Sequence, residues 1–439
     1  DMLDHLVKLV EANGADIWFE KEAKELMPKN STCPHCQSSE FTKETNILDV
    51  WFDSGVTHAA VLEKRENLQS PADMYLEGSD QHRGWFHSSL LESVGTRGRA
   101  PYLSVLTHGF VVDGEGKKMS KSIGNTVETE EVINKYGAEI LRLWVAAEDY
   151  TDDIRISDEI LKRLVEAYRR IRNTARFILG NLYDFNVDSH MTDYDEMEEM
   201  DKWALHRLQE IIRRVSGAYE RYQFHVVFYT LYNYCTVDLS ALYLDILKDR
   251  LYTTKAGSAA RRSAQTAIFL ILKAMTRLLA PILTFTAEEI WKMLPSWSNK
   301  ETSVHLTRFP EVEGKYLNPE LGDNWKTMID VRAEIAKALE QARKEKIIGH
   351  SLDARVSIAV PEKMKALLEN HLEDLRALLI ISQLQLVAEN QITRPYVSDE
   401  FKGLMVSVEK AFGKKCERCW IYSESVGEDK QHPKICARC

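Results

Sequence analysis

The pattern of apolar residues changes near residue 157, and this change constrains the fold more than any other feature of the chain. From residue 45 to 106, strand-like and helix-like segments alternate, and each strand-like run ends in a polar or glycine-containing turn, as in α/β sheets. From Ser157 to about Leu294, the apolar residues recur at helical spacing in long amphipathic segments. The sequence therefore predicts a multi-domain protein with an α/β part followed by an all-α bundle.

Local patterns within these two parts predict individual elements. Residues 46–52 and 72–76 are predicted as strands, and 84–94 as the helix after the second strand. Ser157 is predicted to cap a helix whose first turn carries Asp158 and Glu159. Further predictions for the bundle are helices at 203–222, 226–247 and 259–279, a break at Pro281, and an acidic loop at 184–201.

A third region follows the bundle. Residues 301–321 are predicted as a linker with prolines, and 326–346 as a charged helix. Strands are predicted at 355–360, 384–387 and 404–408, with a helix at 362–379. The sequence therefore predicts a small α+β module behind the bundle.

The composition excludes some classes of protein. The 439 residues are 44% hydrophobic, which is ample for several cores. A net charge of −10 argues against a surface covered with nucleic-acid-binding charge, although a local basic face is compatible with it. No secretory signal is visible, and the most apolar stretch, 266–283, contains Lys273 and Arg277. It is predicted as a largely buried helix, so no membrane association is expected.

A glycine-flanked basic loop at 113–122 is the first candidate site. Three lysines, Lys117, Lys118 and Lys121, lie within five positions, where like charges repel unless an anion sits among them. Gly114 and Gly116 permit backbone conformations closed to other residues. Mobile ammonium groups beside small hydroxyls suit a triphosphate whose charge shifts during a reaction. The alternative is a solvated surface loop.

Four cysteines at the end of the chain predict a metal site. Cys416 and Cys419 form one Cys-x-x-Cys pair, and Cys436 and Cys439 form another after sixteen intervening residues. Two such pairs complete a closed tetrahedral zinc site of the structural kind. Lys414, Lys415, Arg418, Lys434 and Arg438 would offset the thiolate charge or contact RNA phosphates. Trp420 would pack on the metal cluster, and stacking on a base is the alternative.

The other three cysteines are weaker signals. Cys33 and Cys36 form half of a metal site, which needs two more ligands. Either those ligands lie in sequence before Asp1, or the pair is an idle remnant. Cys235 lies in an apolar helix and is predicted to be a core residue. Because six of the seven cysteines form such pairs, we expect a reducing cytosolic compartment.

Two polar turns in the α/β part are further candidates. Residues 77–85 place a carboxylate, two glycines, an amide and an imidazole directly after a predicted strand. This set could hold an ammonium, a ribose and an adenine edge together, or it could be an ordinary loop in which Asp80 caps a helix. In 49–55, Trp51 is either a core residue or one wall of an apolar pocket. His108 is either an ATP-binding group or a satisfied structural histidine.

These motifs together resemble the class I aminoacyl-tRNA synthetases, and among them the members of the bacterial type that use isoleucine. Lys118-Met-Ser-Lys-Ser122 matches the second signature of the family letter for letter. The runs at 49–55 and 77–86 and the cysteine tail with Cys419-Trp420 are similar to isoleucine-specific blocks. The resemblance covers essentially the whole chain.

The resemblance implies a division into five segments. They are the end of a connective insertion (1–45), the second half of a Rossmann-like catalytic domain (46–156), a helical anticodon-binding domain (157–325), a small α+β module (326–410) and a zinc-binding tail (411–439). It also implies ATP with Mg²⁺, isoleucine and tRNA(Ile) as partners, a cytoplasmic location, and a monomer as the full-length enzyme.

The resemblance further implies the role of each site residue. Lys121, assisted by Lys118, would stabilise the charge that develops as isoleucine attacks the α-phosphate, and Ser120 and His108 would contact ATP. The isoleucyl-adenylate would contact six residues: Glu77, Gly78, Asp80, Gln81, Trp51 and Trp85. Trp51 and Trp85 would line the side-chain pocket, and the pair Cys33 and Cys36 would be completed from the upstream insertion.

The chain also departs from the family pattern. The first signature, two histidines around a small apolar–glycine step, is absent, and residues 348–350 lie too far downstream to replace it. The editing insertion is missing as well. Because Asp1 is not an initiator Met and Cys439 is both the last residue and a metal ligand, a fragment is expected. Such a fragment would bind tRNA and part of the adenylate without catalysing the reaction.

Two alternative functions remain open. They are a non-catalytic RNA-binding protein and a ligase for valine or methionine.

Overall fold

The computed structural model describes residues 2–439, so Asp1 lies outside the described residues. The chain forms two compact units, one that ends at Gly109 and one that runs from Phe110 to Cys439. The polar turn at 77–85 therefore lies in the first unit, whereas the lysine loop at 113–122 and the cysteine tail lie in the second.

The first unit is built around a pair of parallel strands. Its helices are α1 Met2–Asn13, α2 Ile17–Glu20, α3 Ala23–Leu26, α4 Val50–Gly55 and α5 Trp85–Arg97, and its strands are β1 Ala72–Gly78 and β2 Tyr102–His108. Ala72 is paired with Tyr102 and Gly78 with His108, so the carboxyl ends of both strands lie side by side. The predictions of a strand at 72–76 and of the helix after it are confirmed.

The strand predicted at 46–52 is wrong. Residues 46–49 have no regular structure and 50–55 form α4. The side chain of Asp49 accepts a hydrogen bond from the backbone N–H of Trp51 at 2.9 Å, so it caps the helix start. This local cap outweighs the strand preference of the Val-Trp-Phe run.

The second unit begins with a short parallel strand pair and continues into the helical bundle. Its first elements are β3 Val111–Asp113, α6 Thr129–Tyr136, α7 Ala138–Ala147 and β4 Ile154–Ile156. The bundle helices are α8 Asp158–Gly180, α9 Val187–His190, α10 Glu199–Glu220, α11 Phe224–Asn233, α12 Leu244–Thr253, α13 Ala259–Leu279 and α14 Thr284–Met293. Ser157 accepts from the N–H of Ile160 at 3.3 Å, which confirms the predicted cap.

The bundle departs from the predicted helix boundaries at two places. Residues 226–247 do not form one α-helix, because a π-helical segment, Tyr234–Tyr243, joins α11 to α12. The predicted loop at 184–201 contains α9 and the start of α10. Met197 and Met200 are buried in this stretch, so tertiary packing orders residues whose acidic neighbours indicated a loop.

Buried groups hold the bundle together. Cys235 is fully buried, as predicted, and burial raises the pKa of its thiol to about 12. The buried carboxylate of Asp201 accepts hydrogen bonds from Tyr243, Arg250 and Ser263, which joins α10, the π-helical segment, α12 and α13. Within residues 2–439, no helix combines the length and the apolar composition that crossing a bilayer requires.

A long helix and a small sheet follow the bundle. They comprise α15 Pro319–Lys344, β5 Ala354–Ala359, α16 Glu362–Asn370, α17 Leu372–Leu379, β6 Gln383–Leu386, β7 Tyr396–Val397 and β8 Met405–Lys410, and a tail hairpin has strands β9 Lys414–Lys415 and β10 Tyr422–Ser423. The sheet order is β6-β5-β8-β7, with β5 parallel to β6 and antiparallel to β8. The α+β module is therefore confirmed, although the helix predicted at 362–379 is broken at His371.

Candidate functional site

The polar turn of the first unit lies where β1 and β2 both end. A single 3₁₀ turn, Ser79–Arg83, connects β1 to α5. A β-carbon at Gly78 would come within 2.7 Å of Asp80 Oδ1 and 3.7 Å of His108 Cε1. A side chain at position 78 would displace the exposed carboxylate of Asp80, and the turn brings the predicted residues Gly78, Asp80 and His108 together.

The side chains of this turn have different surroundings. Glu77 and Asp80 are exposed, and within the described residues the carboxylate of Glu77 has no hydrogen-bond or ion-pair partner. Gln81 Oε1 accepts from the backbone N–H of Trp85 at 2.9 Å, so its amide oxygen satisfies the start of α5. His108 Nδ1 is 2.7 Å from the carbonyl oxygen of Gly109, which satisfies one ring nitrogen. Glu77 and Asp80 thus remain available to a ligand, whereas Gln81 is partly committed to the fold.

The two predicted pocket tryptophans are held by the same turn. The ring of Trp85 stacks on Tyr75 with centroids 4.3 Å apart and 7° between the planes, and its indole N–H donates to the carbonyl oxygen of Ser54 at 2.9 Å. The ring of Trp51 packs over Gly84 and is 42% exposed. α4 and α5 thus present both indoles in one region, with Trp51 open to solvent.

Replacement of Gly84 by alanine is expected to destabilise this region by about 1–3 kcal/mol. The added β-carbon would lie 2.6 Å from Gln81 Oε1 and 3.2 Å from the Trp51 ring, so the capping bond and the indole must shift. Hydrogen-exchange protection across residues 72–97 measures the effect. Gly95→Ala is the matched control, because it lies in the same helix with open space around it and is expected to stabilise by roughly 0.5–1 kcal/mol. Equal protection in both variants would contradict the prediction.

The lysine loop of the second unit is folded by a clasp between Asp113 and Asn125. Asp113 Oδ1 accepts from the backbone N–H groups of Glu115 and Lys117 at 3.0 and 2.9 Å. Asn125 Nδ2 donates to Asp113 Oδ2 at 2.9 Å, and Asn125 Oδ1 accepts from the N–H of Ser120 at 2.9 Å. The hydrogen bond from Asn125, followed by that from the Lys117 N–H, holds the pKa of Asp113 below its usual range.

The two glycines of the loop are needed for different reasons. Gly116 has φ +85°, a conformation that side chains rarely adopt. Gly114 does not have a positive φ, so the prediction of special backbone freedom is wrong for it. A β-carbon at Gly114 would lie 3.1 Å from the Cβ of Ser157, so glycine allows the loop to pack closely against the start of α8 there.

The three lysines of the loop are not equivalent. Lys117 Nζ forms an ion pair with Glu115 at 2.7 Å, with both side chains largely exposed. Lys118 and Lys121 are exposed, and their ammonium groups have no ion-pair partner in the described part of the chain. Ser120 Oγ lies 2.6 Å from Ser122 Oγ. The loop therefore offers two ammonium groups without an ion-pair partner in the described residues, three positions apart, rather than three such groups.

Replacement of Asn125 by alanine is expected to raise the pKa of Asp113 towards the ordinary aspartate value, because the largest stabilising contact of the carboxylate is lost. A depressed carboxylate pKa stabilises the folded loop at neutral pH, and this stabilisation disappears as the pH falls through the folded-state pKa. The variant loop should therefore open at a higher pH than the parent loop. An NMR titration of the Asp113 carboxyl group tests this, and an unchanged pKa would contradict it.

The four cysteines of the tail form a metal-binding arrangement. The Sγ atoms of Cys416, Cys419, Cys436 and Cys439 all lie within 4.8 Å of one another. Burial opposes ionisation of Cys416, yet backbone N–H groups at Cys419, Cys436 and Arg418 lower the pKa of its thiol to about 6. Four sulfur ligands with no open position fit a structural zinc ion, so the sequence prediction and the geometry agree.

The basic residues near the cysteines mostly serve the fold. Arg438 forms a two-bond ion pair with Asp249 of α12, with N–O distances of 2.6 and 2.8 Å. Arg418 donates to the carbonyl oxygen of Thr253, also in α12, at 2.9 Å. Lys434 pairs with Glu417 at 3.0 Å. The contacts of Arg438 and Arg418 dock the tail on the bundle, whereas the Lys434–Glu417 pair lies within the tail. Lys414 and Lys415 remain as exposed positive groups.

Trp420 does not pack on the metal cluster, so that prediction is wrong. It is 60% exposed and has φ +65°, which turns its side chain away from the small cysteine core. The ammonium of Lys415 lies 5.9 Å from its ring centroid and 6.0 Å from that of Tyr422. The alternative interpretation, an exposed ring that can stack on a base, agrees with this geometry.

Cys33 and Cys36 lie in a tight turn of the first unit. The N–H of Gln37 donates to the carbonyl oxygen of Cys33, and the N–H of Cys33 to that of Ser38, both at 2.9 Å. Backbone hydrogen bonds from Cys36 and His35 lower the pKa of the Cys33 thiol. In residues 2–439, the tail cysteines are the only group of three or more potential ligands close enough for one ion. The pair thus remains half a site here.

Sequence reasoning missed several residues that shape these sites. Asp113 and Asn125 fold the lysine loop, and Tyr75 and Ser54 hold Trp85. An Asp-Gly step at 113–114 and an Asn after Gly124 are turn signals that could have indicated the clasp. No local pattern indicates that Tyr75, ten residues before Trp85, stacks on it.

Three family profiles match the chain. One described as tRNA synthetases class I (I, L, M and V) matches residues 1–157. One described as the anticodon-binding domain of tRNA ligase matches residues 201–358, and one described as a zinc finger found in FPG and IleRS matches residues 413–439. The cysteine tail thus lies within a known type of zinc finger.

Curated relatives match over the whole chain. The chain is 56% identical over 439 residues to the isoleucine–tRNA ligase of Syntrophotalea carbinolica and 54% identical over 437 residues to that of Geobacter sulfurreducens. Each alignment covers 100% of this chain and 47% of the relative, so the chain spans about half the length of these relatives.

Solved structures support the fold. The LeuRS–tRNA–LeuAMS ternary complex of Agrobacterium radiobacter K84 agnB2 is similar with a TM-score of 0.52 and 16% identity, over 84% of this chain and 42% of that chain. At this level of identity the likeness concerns the fold alone.

Proposed function

Since this chain belongs to the class I aminoacyl-tRNA synthetases, with isoleucine–tRNA ligases as relatives along its whole length, we propose that it is part of an isoleucine–tRNA ligase. The reaction has two steps. ATP and isoleucine form an enzyme-bound isoleucyl-adenylate and pyrophosphate, and the terminal ribose hydroxyl of tRNA(Ile) then attacks the activated carboxyl carbon. No protein side chain forms a covalent intermediate, so positioning and electrostatic stabilisation carry the rate.

The lysine loop carries the activation step in this proposal. As the isoleucine carboxylate attacks the α-phosphate, negative charge builds up on the phosphate oxygens and the leaving pyrophosphate. The unpaired ammonium groups of Lys118 and Lys121 stabilise this charge, and the hydroxyl of Ser120 contacts the phosphates. Mg²⁺ bound with ATP would neutralise further phosphate charge.

The turn after β1 binds the adenylate. The unpaired carboxylate of Glu77 accepts hydrogen bonds from the isoleucine ammonium, and Gly78 lets the backbone come close to the ligand. Asp80 and Gln81 complete the adenylate site, and His108 contacts ATP through the ring nitrogen that faces away from Gly109. Trp51 and Trp85 line the pocket for the isoleucine side chain, where only apolar contact is required.

The remaining segments bind tRNA. The bundle at 157–325 acts as the anticodon-binding domain, with the module at 326–410 behind it. In the zinc-binding tail at 411–439, exposed Trp420 with Lys414 and Lys415 suits stacking on a base and contact with phosphates. The segment 1–45 is the end of a connective insertion. The upstream part of that insertion supplies two more ligands, with which Cys33 and Cys36 bind a second metal.

The observation that carries the proposal is the clasped loop with two unpaired signature lysines, in a chain more than half identical to known ligases. Isoleucine-dependent pyrophosphate exchange tests it. The longer protein that contains this chain should catalyse exchange, and the chain alone should bind tRNA(Ile) and an adenylate analogue without exchange. Exchange by the chain alone would show that residues outside it are not required.

Two alternatives make different predictions. A non-catalytic RNA-binding protein has no use for the free lysines and Glu77, so it would bind tRNA but no adenylate analogue. A ligase for valine or methionine would exchange pyrophosphate with that amino acid instead of isoleucine. The paired cysteines favour a cytoplasmic location, and the relatives favour isoleucine as the amino acid. At full length, the enzyme is expected to act as a monomer.

A further inference from the structure

In the first unit, α5 contacts the carboxyl end of α4 at two places. The indole N–H of Trp85, at the start of α5, donates to the carbonyl oxygen of Ser54 at 2.9 Å. Two turns further along α5, the carboxylate of Glu92 lies over Gly55, where a β-carbon would come within 2.6 Å of both carboxylate oxygens. Because α4 also carries Trp51, these two contacts fix one predicted pocket tryptophan relative to the other.

A buried imidazole meets the same end of α4. His58 begins a short π-helical turn, His58–Leu62, and is 1% exposed. Its Nδ1 lies 3.0 Å from the carbonyl oxygen of Gly55. Because a carbonyl oxygen can only accept, Nδ1 carries a proton, and in a neutral ring Nε2 is then an acceptor. His58 thus holds the last turn of α4 through one nitrogen, and the other nitrogen needs a donor.

Two buried acceptors in this contact are left without a donor. Within the described residues, neither Nε2 of His58 nor Oε2 of Glu92 has a hydrogen-bond partner, and both atoms are buried. Buried polar groups are nearly always paired. Two acceptors cannot satisfy each other, but one added proton turns either of them into a donor. A single proton would therefore satisfy both groups.

The charges near the pair favour the uptake of a proton. Burial raises the pKa of the Glu92 carboxyl, a charged His58 lowers it, and Asp53 of α4 raises it. Glu63 also interacts with His58 and is paired with Arg97 through two hydrogen bonds of 2.8 Å. A buried carboxyl group beside a second carboxylate keeps a proton more readily than an exposed one.

We infer that His58 and Glu92 share one proton and act as positioning residues for the isoleucine side chain. The proton comes from water and lies between His58 Nε2 and Glu92 Oε2, so no other bond changes. The pair holds the carboxyl end of α4 so that Trp51 and Trp85 face one pocket, and neither member touches the ligand. This inference rests on the proposed function, because it takes both indoles as walls of the isoleucine pocket.

Two adenylate analogues separate the side-chain contribution from the rest of the ligand. Isoleucyl and glycyl sulfamoyl-adenosine share the adenosine, the sulfamate and the ammonium group, whereas the glycyl analogue has no side chain. Binding of each to the 439-residue chain is measured by calorimetry. The parent chain should bind the isoleucyl analogue roughly 10- to 100-fold more tightly, as expected for burial of a branched aliphatic side chain.

Glu92→Met tests the positioning role. It should reduce the preference for the isoleucyl analogue about tenfold, because the carboxylate no longer fixes Gly55, and the affinity for the glycyl analogue should stay within about twofold. Glu92→Gln should keep the preference, since its amide N–H donates to a neutral His58 without an added proton. Glu66→Met is the matched control, because Glu66 is exposed in the same unit. A purely structural role would weaken both analogues alike, or lower only the thermal midpoint.

Nitrogen NMR of the His58 ring tests the shared proton in the chain without any ligand. At pH 7, Nε2 of the parent chain should show the chemical shift of a nitrogen that carries or shares a proton, and in Glu92→Gln that of a bare nitrogen. A bare Nε2 in the parent chain would overturn the shared proton.

The binding results distinguish this inference from the proposed function. If the parent chain prefers the isoleucyl analogue and Glu92→Met keeps that preference, the pair does not position the pocket, and the proposed function stands. If the parent chain binds neither analogue, the proposed adenylate site and this inference both fail.

Discussion

Replacement of Lys121 by alanine is expected to slow isoleucine-dependent pyrophosphate exchange about 100- to 1,000-fold in the longer protein that contains this chain. The ammonium group of Lys121 is exposed and unpaired within the described residues, so its charge is available to the phosphates. Removal of one preorganised charge-stabilising donor typically reduces turnover by this factor. Lys118→Ala should cause a smaller loss in the same direction, because the role proposed for Lys118 is to assist Lys121.

Lys117→Ala is the matched control for Lys121. It removes an identical side chain four residues away, but the ammonium group of Lys117 is already paired with Glu115. Exposed ion pairs contribute little to stability, so the variant should fold normally and exchange pyrophosphate within about twofold of the parent. Binding of tRNA should remain unchanged in all three variants. Equal losses for Lys117 and Lys121 would mean that the loop acts through its net charge and not through the unpaired lysines.

Replacement of Cys436 by serine, or removal of zinc with a chelator, is expected to unfold residues 411–439 while the bundle stays folded. The buried core of the tail consists of Cys416, Cys419, Cys436 and Val426, so it has almost no apolar packing of its own. Zinc contributes roughly 10–16 kcal/mol to the folding of such small domains. Zinc content should fall from one equivalent to none, and hydrogen exchange should show lost protection confined to the tail.

Loss of the folded tail should also weaken tRNA binding, because Trp420 and its neighbouring lysines would no longer be fixed in place. Cys36→Ser is the control for zinc content, since that thiol is exposed and belongs to no group of three or more potential ligands within the described residues. In the chain alone, this variant should keep one equivalent of zinc. A drop in the zinc content of Cys36→Ser would mean that Cys33 and Cys36 already bind metal. If Cys436→Ser or zinc removal unfolded the bundle together with the tail, the prediction of a local effect would be wrong.

Local patterns predicted much of the fold because the interactions behind them are local. The Ser157 cap joins residues three positions apart, and α13, Ala259–Leu279, has the predicted bounds because its apolar residues recur at helical spacing. Two predictions are wrong because local patterns leave out contacts with the rest of the fold. The helix predicted at 226–247 contains a π-helical segment, which packs against α8 and which the local periodicity does not indicate. The strand predicted at 46–52 lacks a partner strand, so the Asp49 cap prevails.

The sequence by itself determined which chemistry the chain is predicted to carry. The lysines of the 113–122 loop and the spacing of Cys416, Cys419, Cys436 and Cys439 predict phosphate and zinc chemistry through residue type and short separations. Only the tertiary structure decided which of these groups are free to act. The Asp113–Asn125 clasp spans 12 residues, and the Arg438–Asp249 pair that docks the tail spans 189. Turn signals at 113–114 and 124–125 are compatible with the first contact, but the second depends on where the chain returns in space, and no local pattern of residues records that.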